Sequence, residues 1–408
     1  MNPLNKLFLV ILALFSVPLS TLAHGTEEEH QKESVYANLM DYGFYVSVIL
    51  LIILIALWTL NNKKMKKINV KNLEGRNKRD RHLKYKKILQ IIAMLIGLLT
   101  VLTGFLAFSN NDSDQTSISN NGNDISFNHI HGLGFDSKGE EIYIPAHDGL
   151  RRFKDGKWSV LEGDRHDYMG FTMVDDGFYS SGHPAPDSDM ENPFGILKSN
   201  NMGKNLDILD LYGEIDFHGM GVGYYSHTIY VINPQPNSRM DDTGLYYTLD
   251  NTKTWKKSMM NGVEGEAAAI AVHPEKDNIV TISTNQGLYV STDFGNNFEI
   301  ITETPTTSVA FNEEGNILAG LISEKPVLVE INYSTRELKE IVIPELGKDD
   351  AIGYIASSPK DTQDLVFTTF LKDIFITTNG GEHWKKIADK GNGSSLDAKN
   401  ISNEKQDQ

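Results

Sequence analysis

Seven of the nine histidines that follow Ser109 fall between His129 and His227, and the carboxylates Asp167 and Asp216 stand among them. Imidazole nitrogen suits zinc, copper, iron and nickel, carboxylate oxygen widens the range, and a thioether shifts the preference toward copper. Two carboxylates facing one cavity are also the working parts of a glycosidase. The residues come in short runs that share one apolar pattern. His129-Ile-His131-Gly-Leu-Gly-Phe135 lines up with Asp167-Tyr-Met169-Gly-Phe-Thr-Met173 and with Asp216-Phe-His218-Gly-Met-Gly-Val222. Glu266-Ala-Ala268-Ala-Ile-Ala-Val272 follows with smaller side chains. If each run opens as an extended strand, residues two apart share a side. His129, Asp167, Asp216 and Glu266 then form one level, and His131, Met169 and His218 the next.

On this reading His129, His131, Met169 and His218 are metal ligands, for copper or zinc, while Asp167, Asp216 and Glu266 are the catalytic set if a glycan is hydrolysed. Turn segments add His147, Asp148, His166 and His183 as ligand-binding residues. Near the N-terminus, His24 and His30 flank Glu27–Glu29, a second metal-compatible cluster. A structural role stands beside the functional one, because histidines and carboxylates at strand ends also bond backbone amides and ordered water. No Ser-His-Asp elbow, phosphate-binding glycine loop or cysteine nucleophile is present.

These residues need a scaffold, and a repeat supplies it. Ser291-Thr-Asp293-Phe-Gly295-Asn-Asn-Phe298 has the frame Ser-x-Asx-x-Gly-x-x-apolar between two apolar runs. Ser199–Leu206 and Thr377–Trp384 keep the frame, Thr248–Trp255 keeps all but the glycine, and Phe153–Trp158 is a worn copy. The Asx side chain accepts bonds from turn amides, the glycine permits positive φ, and the final residue opens the next strand. The Asp residues of these hairpins therefore have structural work. Trp158, Leu206, Trp255, Phe298 and Trp384 mark equivalent points, spaced 48, 49, 43 and 86 residues apart. The last gap holds two units, the unmarked one being Thr306–Ile341. Six units of about 40–50 residues match four-stranded propeller blades.

The runs His129-Ile-His-Gly-Leu133, His147-Asp-Gly-Leu150, Asp167-Tyr-Met-Gly-Phe171, Ser181-Gly-His-Pro184 and Asp216-Phe-His-Gly219 resemble a bacterial family of exported propellers labelled glycosylhydrolase-like, with BNR repeats. The hairpins look like the Asp-boxes of sialidases, sortilin-type domains and photosystem assembly-factor propellers. The resemblance covers residues 127–388, most densely 127–220, and implies a six-bladed Asp-box β-propeller and a glycosidase. A sialidase would clamp its substrate with three arginines. After Ser109 there are only Arg151, Arg152, Arg165, Arg239 and Arg336, and none opens a blade. A two-carboxylate glycosidase, a binding module and an assembly scaffold for an envelope partner all stay open.

The first 126 residues read differently. Lys6, the apolar run Leu7–Leu14 and Thr21-Leu-Ala23 make residues 1–23 a signal peptide. After a short outer segment, 24–43, residues 44–60 and 88–108 are apolar and near the ~20 residues needed to span a bilayer. The loop 61–87 between them carries twelve Lys/Arg against Glu74 and Asp80, which assigns it to the cytoplasm. The expected class is thus an all-β propeller preceded by a signal peptide and two transmembrane helices, integral to the cell membrane with its propeller outside. Residues 109–126 read as a stalk and 389–408 as a disordered tail. The chain has no cysteine, so its core must hold it without disulfides. After Ser109, 24 Lys/Arg face 47 Asp/Glu. That field disfavours nucleic acid and favours a cation, leaving a metal ion, a small molecule or glycan, or a protein as partner classes.

Overall fold

The computed structural model describes residues 47, 50–51, 54–68, 71–111, 125–394 and 396. The expectations for the signal peptide and for His24 and His30 lie outside these residues. The chain divides into two compact units, Met1–Ser117 and Ile118–Gln408.

In the first unit, residues 54–66 are helical and a second helix runs Leu73–Asn111. Asn61 and His82 join them, with Asn61 Oδ1 2.6 Å from His82 Nδ1. The second helix is continuous from the basic stretch into the third apolar segment. Among the described residues no helix is long and apolar enough to cross a membrane. The two spans expected at 44–60 and 88–108 are therefore not supported there.

The second unit is the expected all-β six-bladed propeller. Five blades are four-stranded antiparallel sheets in sequential order. Their innermost strands are Gly134–Phe135, Asp167–Val174, Met220–Val222, Ala267–Val272 and Thr306–Phe311. The sixth blade opens with Ile352–Ser357 and has six strands. Its extra pair comes from the two ends of the unit: Ile125 pairs with Gly393 and Ser126 with Asn392. Trp158 of blade 1 donates to Ile387 O at 2.8 Å, and Leu396 N to Gly156 O at 2.8 Å. The ring is thus clasped at the junction of blades 6 and 1, and the sheet reaches beyond 127–388 at both ends.

Apolar side chains collect between blades rather than at one centre. Each of six clusters fills the space between two neighbours; between blades 1 and 2 these include Tyr143, Leu150, Tyr168, Phe171 and Phe178. The repeated hairpins hold the outer strands in register. Ser291 Oγ accepts from Gly295 N at 2.9 Å and Asp293 Oδ1 from Asn297 N at 2.9 Å. Thr248 and Asp250 make the same bonds to Thr252 and Thr254. There Thr252 takes φ 69°, where the other copies place Gly203, Gly295 and Gly381.

Candidate metal centre at the channel mouth

The glycine that follows each first-strand position sets how closely the blades approach. A Cβ on Gly132 would lie 2.8 Å from Phe171 Cβ, and one on Gly170, at φ 55°, would lie 2.4 Å from Phe217 O. The chain segments that open blades 1, 2 and 3 are therefore pressed together. Polar groups just before these glycines meet across the blade boundaries.

The first cluster joins blades 1 and 2. Asp167, at the start of its strand, is 6% exposed. His147 Nδ1 lies 2.7 Å from its Oδ2, and His131 Nε2 lies 3.4 Å from its Oδ1. One donor atom from each of His131, His147 and Asp167 lies within 4.8 Å of the others. His131 is nearly enclosed while His147 is half exposed, so the cluster sits at the edge of solvent. His129 stacks on His131 with ring centroids 5.9 Å apart.

The second cluster joins blades 2 and 3. His218 Nε2 lies 2.7 Å and His183 Nε2 3.3 Å from Asp216 Oδ2. Asn192 Oδ1 sits 2.6 Å from His183 Nδ1, and an oxygen that only accepts requires that nitrogen to carry a proton. Contact with Asp216 holds His183 protonated, raising its pKa to about 9 against the effect of burial, and Asp167 adds to this. Burial alone would raise the Asp216 pKa, but His183 and His218 hold it well below the usual carboxylate range.

Neighbouring bonds fix both clusters. Ser181 Oγ donates to Gly195 O at 2.6 Å and accepts from Phe217 N at 2.8 Å, which locks the backbone between Asp216 and His218. Gly182, at φ 113°, packs its Cα against Asp167 O, where a Cβ would come within 2.0 Å. Arg151, 3% exposed, binds Asp148 at short range, and Arg165 reaches the same carboxylate at 3.8 Å. These arginines anchor the turn that carries His147.

The expected residues thus divide. His131, His147 and Asp167 converge, as do His183, His218 and Asp216, with His129 stacked on the first group. The level assignment does not hold: His131 meets Asp167 and His218 meets Asp216 across supposed levels. Strand alternation applies only to a paired strand, and 129–133 and 216–219 lie outside the inner strands. Met169 is buried and belongs to neither group, so the donor set is nitrogen and oxygen without sulfur. Glu266 is exposed, its backbone N–H donating to Asn285 Oδ1. His166 is buried against Tyr168 and Phe194 and accepts from Ala185 N at 3.0 Å, a structural position. Asp148 is held by its arginines. Asn192 was not anticipated; nothing in its local sequence marks it, since it acts across the blade from His183.

Another donor group, Asp175, Asp176 and His227, lies on turns at the far end of the blade 2 strand. Lys198 Nζ already neutralises Asp176 at 2.7 Å.

Two nitrogens and one carboxylate oxygen make a three-residue set like those that leave a fourth metal position open. Donors about 2.1 Å from a tetrahedral ion lie about 3.4 Å apart, close to the observed spacing of His131 and Asp167. Zinc or copper fits such a set by chemistry and size.

No protein-family model and no curated protein matches the chain. Among solved structures it is similar to the GH74 xyloglucanase of Xanthomonas campestris, at 18% identity and TM-score 0.42, covering 65% of this chain and 46% of that one. It is similar to a GH74 enzyme of Niastella koreensis at 13% and 0.44, covering 64% and 46%. YCF48 bound to a D1 peptide gives 12% and 0.41, covering 66% and 85%. The chain spans a little under half the length of the two GH74 enzymes.

Proposed function

We propose that this chain is a membrane-anchored, exported propeller of the glycosylhydrolase-like BNR/Asp-box kind that binds a divalent transition metal, copper or zinc, at its channel mouth. His131, His147 and Asp167 hold the ion, and the open position receives a water or a donor atom of a further ligand. The observation that carries the reading is the convergence of three donor atoms from three separate segments within 4.8 Å. The excess of carboxylates after Ser109 favours cation approach, and the basic loop between two apolar segments supports the anchored topology. A two-carboxylate hydrolase is less well supported. A general acid needs a raised pKa, whereas Asp216 is held ionised by two imidazoles and Glu266 stands apart.

The test is elemental analysis of the purified full chain, stripped with chelator and then dialysed against zinc or copper. Stoichiometric metal retained with micromolar or tighter affinity, and lost from this site in His131→Ala and His147→Ala, is the expected result. Metal content unchanged by both substitutions would refute the assignment.

A further inference from the structure

We infer that the basic hairpin of the first unit holds a small phosphate-bearing anion in the cleft between its two helices, gripped by Lys64, Lys67 and Lys78. Residues 63–87 carry twelve Lys/Arg against Glu74 and Asp80. Such an excess is a topology signal, but that signal is counted over the whole loop and does not require its charges to meet. Here they meet. Asn61, Lys64 and Lys67 follow at three-residue steps, and Gly75, Lys78 and His82 at steps of three and four, so each set lines one side of its helix. Asn61, 5% exposed, joins the two sides: its Oδ1 lies 2.6 Å from His82 Nδ1, and its Nδ2 donates to His82 O at 3.2 Å.

Between them lies a cleft of about 490 Å³, within the range of about 300–1,000 Å³ of small-ligand sites. Lys64, Lys67 and Lys78 line it with Glu74 as the one acid, three positive charges against one negative. Among the described residues none of the three lysines forms an ion pair. Like charges gathered on facing helices repel, and an anion between them removes that cost. The longer helix also begins at the cleft, which Asn72 and Gly75 line. Asn72 caps it, with Oδ1 accepting from Gly75 N at 2.9 Å, and Arg76 N donates to Asn72 O at 3.2 Å. The amides of Leu73 and Glu74 lie beyond the helix's own carbonyls, at the positive end of its dipole. Lysine ammonium groups and helix-start amides together suit phosphate oxygens. A lipid headgroup and a soluble phosphate ester share that chemistry. On the anchored topology proposed above, helix geometry favours the soluble one. Lys78 stands ten residues before the apolar stretch opens at Ile88, about 15 Å of helix, while a headgroup layer is about 5–8 Å deep.

The experiment titrates inorganic pyrophosphate into the metal-free full chain, purified in nonionic detergent at low salt, and follows binding by calorimetry. Saturable binding at one equivalent is expected. Lys64→Gln and Lys78→Gln, both at exposed positions that tolerate the change, each weaken it about tenfold through loss of a charge-assisted hydrogen bond. Lys84→Gln removes the same charge outside the cleft and leaves affinity within about twofold. Asn61→Ala keeps every charge but releases the two helix sides, and it also weakens binding. Zinc retention at the channel mouth is the same in all four variants, so this outcome is read independently of that site. Equal losses in Lys64→Gln and Lys84→Gln would mean a diffuse field rather than a cleft and would overturn the inference. So would no binding of pyrophosphate, or binding only to phosphatidylglycerol added to the micelles.

Discussion

Gly182 shows how much of the mouth depends on single residues. It sits between Ser181, which ties blade 2 to Phe217, and His183, which faces Asp216. With φ 113° and a Cβ position only 2.0 Å from Asp167 O, no side chain fits without moving the blade 2 backbone. Gly182→Ala is therefore expected to lower stability by more than about 2 kcal/mol in denaturant unfolding, and to weaken metal binding at Asp167. His273, away from the mouth, gives a pH signature. Its Nδ1 accepts from Glu275 N and Lys276 N, both at 3.2 Å, and burial with help from Lys276 lowers its pKa to about 4. The folded state keeps it neutral while the unfolded chain takes a proton below about 6.5. Its contribution is thus complete above that pH and is lost as pH falls toward 4, by about 3 kcal/mol at most. Urea unfolding across pH 7 to 4 should show a decline that shrinks in His273→Gln; an equal decline in the variant would remove this account.

Among the elements, the repeated hairpin was readable from sequence because each of its bonds is local. Ser291, Asp293 and Gly295 lie within five residues, and their bonds form as the frame predicts. Blade 5 lacks the frame, yet Asn332 Oδ1 serves its turn by accepting from Ser334 N and Thr335 N, both at 3.0 Å. Ser291→Ala removes the hydroxyl that accepts from Gly295 N, and should cost about 1 kcal/mol in unfolding free energy with metal content unchanged. A large loss of metal in that variant would mean that the outer hairpins, not the inner strands, position the mouth. The arrangement of the histidines was less readable. Their identity was visible in the aligned runs, but which carboxylate each meets depends on irregular segments and on packing between blades. Period-two alternation cannot follow the chain there, and so His131 was matched with Met169 rather than with Asp167. The Asn192 contact and the arginine anchors of Asp148 likewise arise only when distant segments fold together.

At the scale of the whole molecule, six blades followed from the count of repeats, while the means of closing the ring did not. Ile125–Ser126 and Asn392–Gly393 lie at the ends of the unit, in segments whose polar composition reads as stalk and tail, and they pair because the ring brings them together. The closed ring sets His- and carboxylate-bearing segments of blades 1, 2 and 3 side by side at one mouth, in a unit whose net charge is strongly negative. The central claim is that this mouth is a transition-metal centre. Its most direct test is the zinc or copper content of the purified full chain after removal of free metal, compared with His131→Ala and His147→Ala. The account predicts stoichiometric metal in the unaltered protein and loss of the ion held by these two histidines in the variants. A folded chain that retains no metal, or retains the same amount in all three proteins, would contradict it.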